Sequence, residues 1–313
     1  MKRSPSLIAF AILVGLVVGC ASGEKTETEQ KASPAKDSMT TLLPAKQSDG
    51  ILPTAPADII FMNARILTMS DSAPAADALA IQGNRITAVG SFDEIKILIS
   101  DTTQVIDLQG KTLMPGFIDA HQHLFDDAVI AGYEPFENQH IAIENGITSV
   151  ADMYVNDIVL KQLVAWGKDE MIRLRLHAYL VYDTNCGENL GGWWKNYQPG
   201  SVLAKNLTIS GVKVFTDGGS CEAPAMSVEC LGGGYGELFL TQEELNAALR
   251  EIQFAGFQAA IHALGDRSLE QVFNAFQAVL GDQPNTLRHR IEHNATIRPD
   301  LLAKYDERGA LAI

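Results

Sequence analysis

The chain has 313 residues, of which 46% are hydrophobic and 20% charged, enough apolar material for a large buried core. Its formal net charge of −14 argues against nucleic acid or an anionic membrane surface as an electrostatic partner. A small-molecule substrate is the expected partner.

Lys2 and Arg3 precede an apolar stretch at 7–18 that is too short for a comfortable membrane span. The stretch ends in Val17-Val18-Gly19-Cys20, which resembles a bacterial lipobox. Residues 1–20 are therefore expected to be a lipoprotein signal peptide, with lipid carried by Cys20; a plain secretory signal with a chance cysteine is the alternative. The expected place is the bacterial cell envelope, lipid-anchored and facing the periplasm. Ala21 gives no inner-membrane retention signal, which favours the outer membrane. Residues 21–57 are rich in Ser, Thr, Glu, Lys, Ala and Pro and read as a flexible tether, because they bury too little to offset chain entropy.

Residues 58–112 read as short strands, at 58–68, at 78–90 with a Gly83-Asn84 turn inside, and at 104–108. From 113 to 313 strands alternate with helices, the pattern of βα units on a parallel sheet. Strands are expected at 116–120, 147–151, 173–180, 212–216, 258–262 and 289–293. Thr241 and Glu244 form a capping box at the start of a helix that Gly256 closes; Pro299 can open the next and Gly309 close it. Residues 310–313 begin a seventh strand.

Residues 114–123 read Met-Pro-Gly-Phe-Ile-Asp-Ala-His-Gln-His. His121 and His123 fall on one face of a strand, because strand side chains alternate, and two imidazoles there can grip one metal ion. Lys213, His262 and His293 each stand at or near the end of a short apolar run, the last two within His-Ala-Leu-Gly-Asp (262–266) and Arg-Ile-Glu-His (290–293). In this order the set resembles the metal-dependent amidohydrolase superfamily, and more narrowly its amidohydrolase-3 (YtcJ-like) branch, from about residue 58 onward.

The resemblance implies an α/β fold, a TIM-like (β/α)8 barrel behind a small N-terminal β-sandwich subdomain. Strands 1–6 and the start of strand 7 are placed, so the chain is expected to be C-terminally truncated relative to that barrel. Strand C-termini in a barrel converge on one mouth, which makes His121, His123, Lys213, His262 and His293 the expected metal ligands. The implied cofactor is a divalent metal, zinc being the expected ion, as one or two ions. The resemblance also implies carboxylation of Lys213, since a plain ammonium has no lone pair to donate. The implied reaction is hydrolysis of non-peptide C–N bonds, of amide, N-acyl or N-formyl type, by metal-activated hydroxide. Its proton shuttle would be an Asp of the eighth strand, beyond Ile313; Asp217 and Asp266 lie near strand ends but not in that place. A dipeptidase or cyclic-amide hydrolase with the same ligands, and a catalytically dead anchored binding protein, are the alternatives.

Cys186, Cys221 and Cys230 follow the signal segment, and an oxidising compartment permits one disulfide, most plausibly Cys221 with Cys230 in one loop. His140, His177 and His289 read as structural, with His177 the nearest of them to reaching the pocket. The Gly-rich stretches 191–194 and 232–235 read as mobile loops able to cover a substrate.

Overall fold

The computed structural model describes residues 55–71, 75–132, 136–230, 232–309 and 311–313; Cys20, the signal segment and most of the expected tether lie outside them. Two compact units meet in sequence between Gly116 and Phe117.

The first unit contains β1 (Ile59–Met62), β2 (Arg65–Leu67), β3 (Ala75–Ala76), β4 (Ala78–Gln82), β5 (Arg85–Gly90), the short helix α1 (Phe92–Ile95), β6 (Gln104–Asp107) and β7 (Thr112–Leu113). They form two small sheets, in the orders β5-β4-β1-β6 and β3-β2-β7. The single strand expected at 58–68 is divided between them. Asn63 takes a positive φ of 51° there, and its side-chain amide donates to Asp107 Oδ1 at 2.9 Å. The turn at Gly83-Asn84 joins β4 to β5 as read, and Ile60, Ala78, Ala80, Ile95 and Leu98 fill the small core.

The second unit runs β8 (Phe117–Gln122), α2 (Leu124–Ala131), α3 (Phe136–Glu144), β9 (Ile147–Val155), α4 (Asp157–Lys168), β10 (Arg175–Val181), β11 (Val202–Ala204), β12 (Leu207–Phe215), α5 (Gln242–Phe254), β13 (Gln258–Ala263), α6 (Asp266–Leu280), β14 (Arg290–His293), α7 (Pro299–Arg308) and β15 (Leu311–Ala312). Strands β8, β9, β10, β12, β13, β14 and β15 lie in chain order in one sheet, every neighbouring pair parallel. This is a TIM-like (β/α) barrel, incomplete among the described residues. Strand β12 starts five residues earlier than expected, because β11 folds back on its first residues as an antiparallel neighbour. Helix punctuation follows the sequence: Thr241 accepts the Glu244 N–H while Glu244 reaches back, and Gly256 and Gly309 adopt φ of 78° and 56° just past their helices.

Alternation along each strand separates two environments. Val212, Val214, Ala259, Ile261 and Ile291 face the helices and pack with Leu245, Leu249, Ile252, Val272 and Phe276. Their neighbours face inward, where Ala151, Met153, Tyr179 and Ala260 make a small apolar plug. Parallel register then stacks the inward residues in rows: Tyr179 beside Gly211, Lys213 beside Ala260 and Arg290, and Phe215 beside His262 and Glu292. The row nearest the strand ends is polar.

Gly211 is required by this stacking. A Cβ there would stand 2.4 Å from Cε1 of Tyr179 and 2.6 Å from the Gln258 carbonyl oxygen. The Tyr179 ring lies across that space, and its hydroxyl donates to Gln258 Oε1. Gly211→Ala should therefore lower unfolding stability by about 1–3 kcal/mol or more through overpacking, read as a shift in urea midpoint at constant m-value.

Candidate metal centre

All five expected ligands lie in the second unit, and four of their side chains meet at the mouth of the parallel sheet. His121 stands at the end of β8 with its ring 5.5 Å from that of His123 and 4.6 Å from that of His293. The His293 ring is in turn 4.5 Å from His262. Strict alternation would turn His293 toward the helices, as it does Ile291. The strand instead ends in left-handed backbone at His293 (φ 74°) and Asn294 (φ 51°), which releases the side chain from the pleat. Lys213 is fully buried one row below, with Nζ 5.0 Å from the centre of the Phe215 ring.

The hydrogen bonds leave particular atoms unused. His121 Nδ1 lies 2.5 Å from Glu292 Oε2, and His121 Nε2 is buried with no partner. His262 Nε2 lies 3.0 Å from the Gly218 carbonyl oxygen, leaving Nδ1 buried with no partner. Lys213 Nζ is likewise buried without one. His123 is looser, with Nδ1 3.3 Å from Asp126 Oδ2 and its side chain 36% exposed. Native proteins seldom leave buried polar atoms unpaired, and the two bare imidazole nitrogens in one cluster suit a bound cation. Among the described residues no group of three His, Cys, Asp or Glu side chains is closed to metal-ligand spacing; the imidazoles meet ring against ring.

Electrostatics favour neutral, lone-pair-bearing rings. Burial, with the field of Lys213, pushes His262 down to about 3. Burial also lowers His121, against the hydrogen bond it donates to Glu292. Burial lowers Lys213 to about 8, with Glu292 opposing and Arg290 adding to the shift. For Glu292 burial disfavours the charged form, but hydrogen bonds from His121 and Arg290 outweigh it and hold the carboxyl at about 2. The centre thus sets neutral imidazoles beside the Lys213 and Arg290 cations and the charged carboxylate of Glu292.

Several acidic residues near the mouth were not singled out by the sequence reading. Asp152 and Asp183 are fully buried in or just after strands, and burial raises each to about 8. Asp183 accepts the Phe215 N–H at 2.9 Å and Asp152 the Phe125 N–H at 3.0 Å. A carboxylate inside an apolar run, as in 147–155, was the available signal. Asp217 accepts the backbone N–H groups of Ala225, Leu264 and Gly265 at 2.8–3.0 Å, and Asp266 accepts Ser227 N–H at 2.7 Å. Both anchor loops, and Asp217 Oδ1 also lies 3.5 Å from His262 Nε2.

The disulfide differs from the expected Cys221–Cys230 pair: Cys186 is joined to Cys221, with Cα atoms 5.5 Å apart. Strands β10 and β12 are neighbours, so the loops that leave them meet. Cys230 is buried in its own turn, where its N–H bonds the Gly234 carbonyl. The stretch around Trp193 and Trp194 is not a free lid either. Trp194 is fully buried against Phe257, and Trp193 Nε1 donates to the Val181 carbonyl at 3.0 Å. His177 stays below the mouth with Nδ1 3.0 Å from Ser210 Oγ, and exposed His140 pairs with Glu144 along α3.

A model of the Amidohydrolase family, in its amidohydrolase-3 branch, matches residues 138–312, a stretch that includes Lys213, His262 and His293. The chain belongs to the amidohydrolase family. It is 39% identical over 67 residues to an N-substituted formamide deformylase of Arthrobacter pascens, an overlap of 21% of this chain and 12% of that protein. It is 32% identical over 103 residues to an adenine deaminase of Listeria innocua, 33% of this chain and 15% of that protein. These curated relatives are thus matched over less than a sixth of their own length. Among solved structures, a metal-dependent hydrolase from Pyrococcus horikoshii superposes with a TM-score of 0.67 at 17% identity, covering 81% of this chain and 74% of that one. That likeness is one of fold.

His289 sits at the foot of β14, away from the mouth, where Nδ1 accepts the Ala259 N–H at 2.9 Å and Nε2 faces Gln253 Oε1 at 2.5 Å. Burial lowers it from 6.5 to about 4. Between those values the unfolded chain binds the extra proton, so the stability His289 contributes is present above about 6.5 and lost as pH falls toward 4. His289→Gln should flatten that part of the stability–pH curve, measured by urea unfolding between pH 4 and 7.

Proposed function

We propose that this chain carries the metal-binding face of a hydrolase that cleaves non-peptide C–N bonds, with N-acyl or N-formyl amines as the substrate class. The observation that carries the reading is the trio of buried, unpartnered nitrogens, His121 Nε2, Lys213 Nζ and His262 Nδ1, in the strand-end cluster of an amidohydrolase-family chain. The formamide deformylase among its relatives, which acts on N-substituted formamides by name, favours the acyl and formyl class over a purine or a peptide.

In this reading His121, His123, His262 and His293 hold a divalent ion, zinc or a similar metal, and Lys213 joins them as a carbamate. When bound, the ion would lower the pKa of a water ligand and polarise the carbonyl under attack. Burial brings Lys213 close enough to neutrality for its ammonium to lose one proton; the free amine can then add carbon dioxide and release a second proton, leaving an anionic carbamate oxygen donor. The neutral imidazoles keep their lone pairs available, because protonation in this buried cluster is disfavoured. The apolar cluster of Ala151, Met153, Tyr179 and Ala260 lies on the inward face of the same strands. Proton delivery to the departing nitrogen needs a further acid, since Asp217 and Asp266 are held by loop backbone.

The site is expected to bind zinc with His121 and His293 among its ligands. His121→Ala should lower the metal content of the purified chain and any turnover of an N-formyl amine together, measured by elemental analysis and product release. His293→Gly should do the same while leaving stability equal or higher, since glycine adopts the left-handed backbone without strain. Unchanged metal content in both variants would remove the reading.

The lipid anchor belongs to the same proposal and rests on the lipobox around Cys20. Mass spectrometry of the mature N-terminus should find acylated Cys20; an unmodified terminus at another residue would exclude the anchor.

A further inference from the structure

Glu292 lies within the Arg-Ile-Glu-His motif, yet its role follows from contacts across the sheet, not along the strand. Its Oε2 meets His121 Nδ1 at 2.5 Å, between residues 171 apart in the chain. Arg290 grips the same carboxylate from its own strand, with Nε donating to Oε1 at 2.5 Å and Nη2 to Oε2 at 2.8 Å. The same Nη2 also donates to the Ala120 carbonyl oxygen at 2.6 Å. One guanidinium therefore locates both the carboxylate and the peptide that carries the His121 ring.

We infer that Glu292, held by Arg290, is the positioning residue that fixes the tautomer and ring direction of His121, so that Nε2 is the nitrogen presented to the metal. The inference rests on the metal-centre reading given above and names a device within it. A carboxylate that accepts from both arms of an arginine is ionised and offers His121 only an acceptor, so His121 must donate from Nδ1. A neutral imidazole carries one N–H, which leaves Nε2 as a bare lone pair. That atom is buried and has no other partner. Three of the carboxylate's four acceptor directions are already used, one on Oε1 by Arg290 and two on Oε2 by Arg290 and His121, and Oε2 in particular is committed to holding His121. Such a carboxylate behind a ligating histidine makes the ring more basic and resists its rotation.

The test uses the full chain, metal-free and labelled with 15N-histidine. The wild-type protein should show His121 as the Nδ1–H tautomer with an unprotonated Nε2, assigned by the loss of its signals in His121→Ala. Glu292→Gln, which keeps the size but puts an NH2 group against either Arg290 or His121, should scramble that tautomer. It should also weaken zinc binding by about 10–100-fold while circular dichroism stays native-like. Glu292→Asp, if it can still reach Nδ1, should restore part of the affinity. An Nε2–H tautomer in the wild type, or unchanged zinc affinity in a folded Glu292→Gln, would overturn the inference. If Glu292→Gln does not fold, the wild-type spectrum decides alone. Wild-type zinc binding by His121→Ala would instead defeat the metal reading, and the tautomer spectrum would still judge the Glu292 contact.

Discussion

A parallel strand covered by helices on one side and enclosed on the other has no face for water, so each residue must suit one of two interiors. In β12, β13 and β14 the helix-facing positions are Val212, Val214, Ala259, Ile261 and Ile291, and they pack as one apolar layer with α5 and α6. The enclosed positions carry what that layer cannot accept: Lys213, His262, Arg290 and Glu292. The chemistry of the mouth depends on this division, because the same pleat that hides the valines aims the polar residues at a common axis. A register slip of one residue in β12 would exchange Lys213 for a valine.

Two cations, Lys213 and Arg290, share the charged carboxylate of Glu292, while burial raises Asp183 to about 8 and so favours its neutral form. The imidazoles stay neutral first because burial disfavours their charged form, and the field of Lys213 adds to that. At His293 a bulky residue keeps an uncommon left-handed backbone conformation that brings its ring to His121 and His262.

The loops over the strand ends are held as firmly as the strands. Asp217 collects three backbone donors from two loops, and Asp266 at the start of α6 binds Ser227. Cys186–Cys221 joins the loops that leave two adjacent strands. Asp217 and Asp266 thus tie loop backbone together beside the histidine cluster.

Local pattern was enough to place the parallel strands, the start of β12 apart, and to put His121, His123, Lys213 and His262 at or near strand ends, because periodic burial and strand-end position are properties of short segments. The same holds for the Thr241–Glu244 capping box, whose two bonds span four residues. Contacts between distant segments were not legible. The Glu292–His121 bond joins residues 171 apart, Cys186 pairs across two strands instead of within one loop, and Trp194 is drawn from a glycine-rich loop into the core. Each depends on which strands become neighbours and in what register, and only the closed tertiary packing sets that. The sequence therefore determined the donors and the faces they occupy, whereas the folded sheet decided which nitrogen of each donor is left free, because that depends on the partner brought to the other side of the ring.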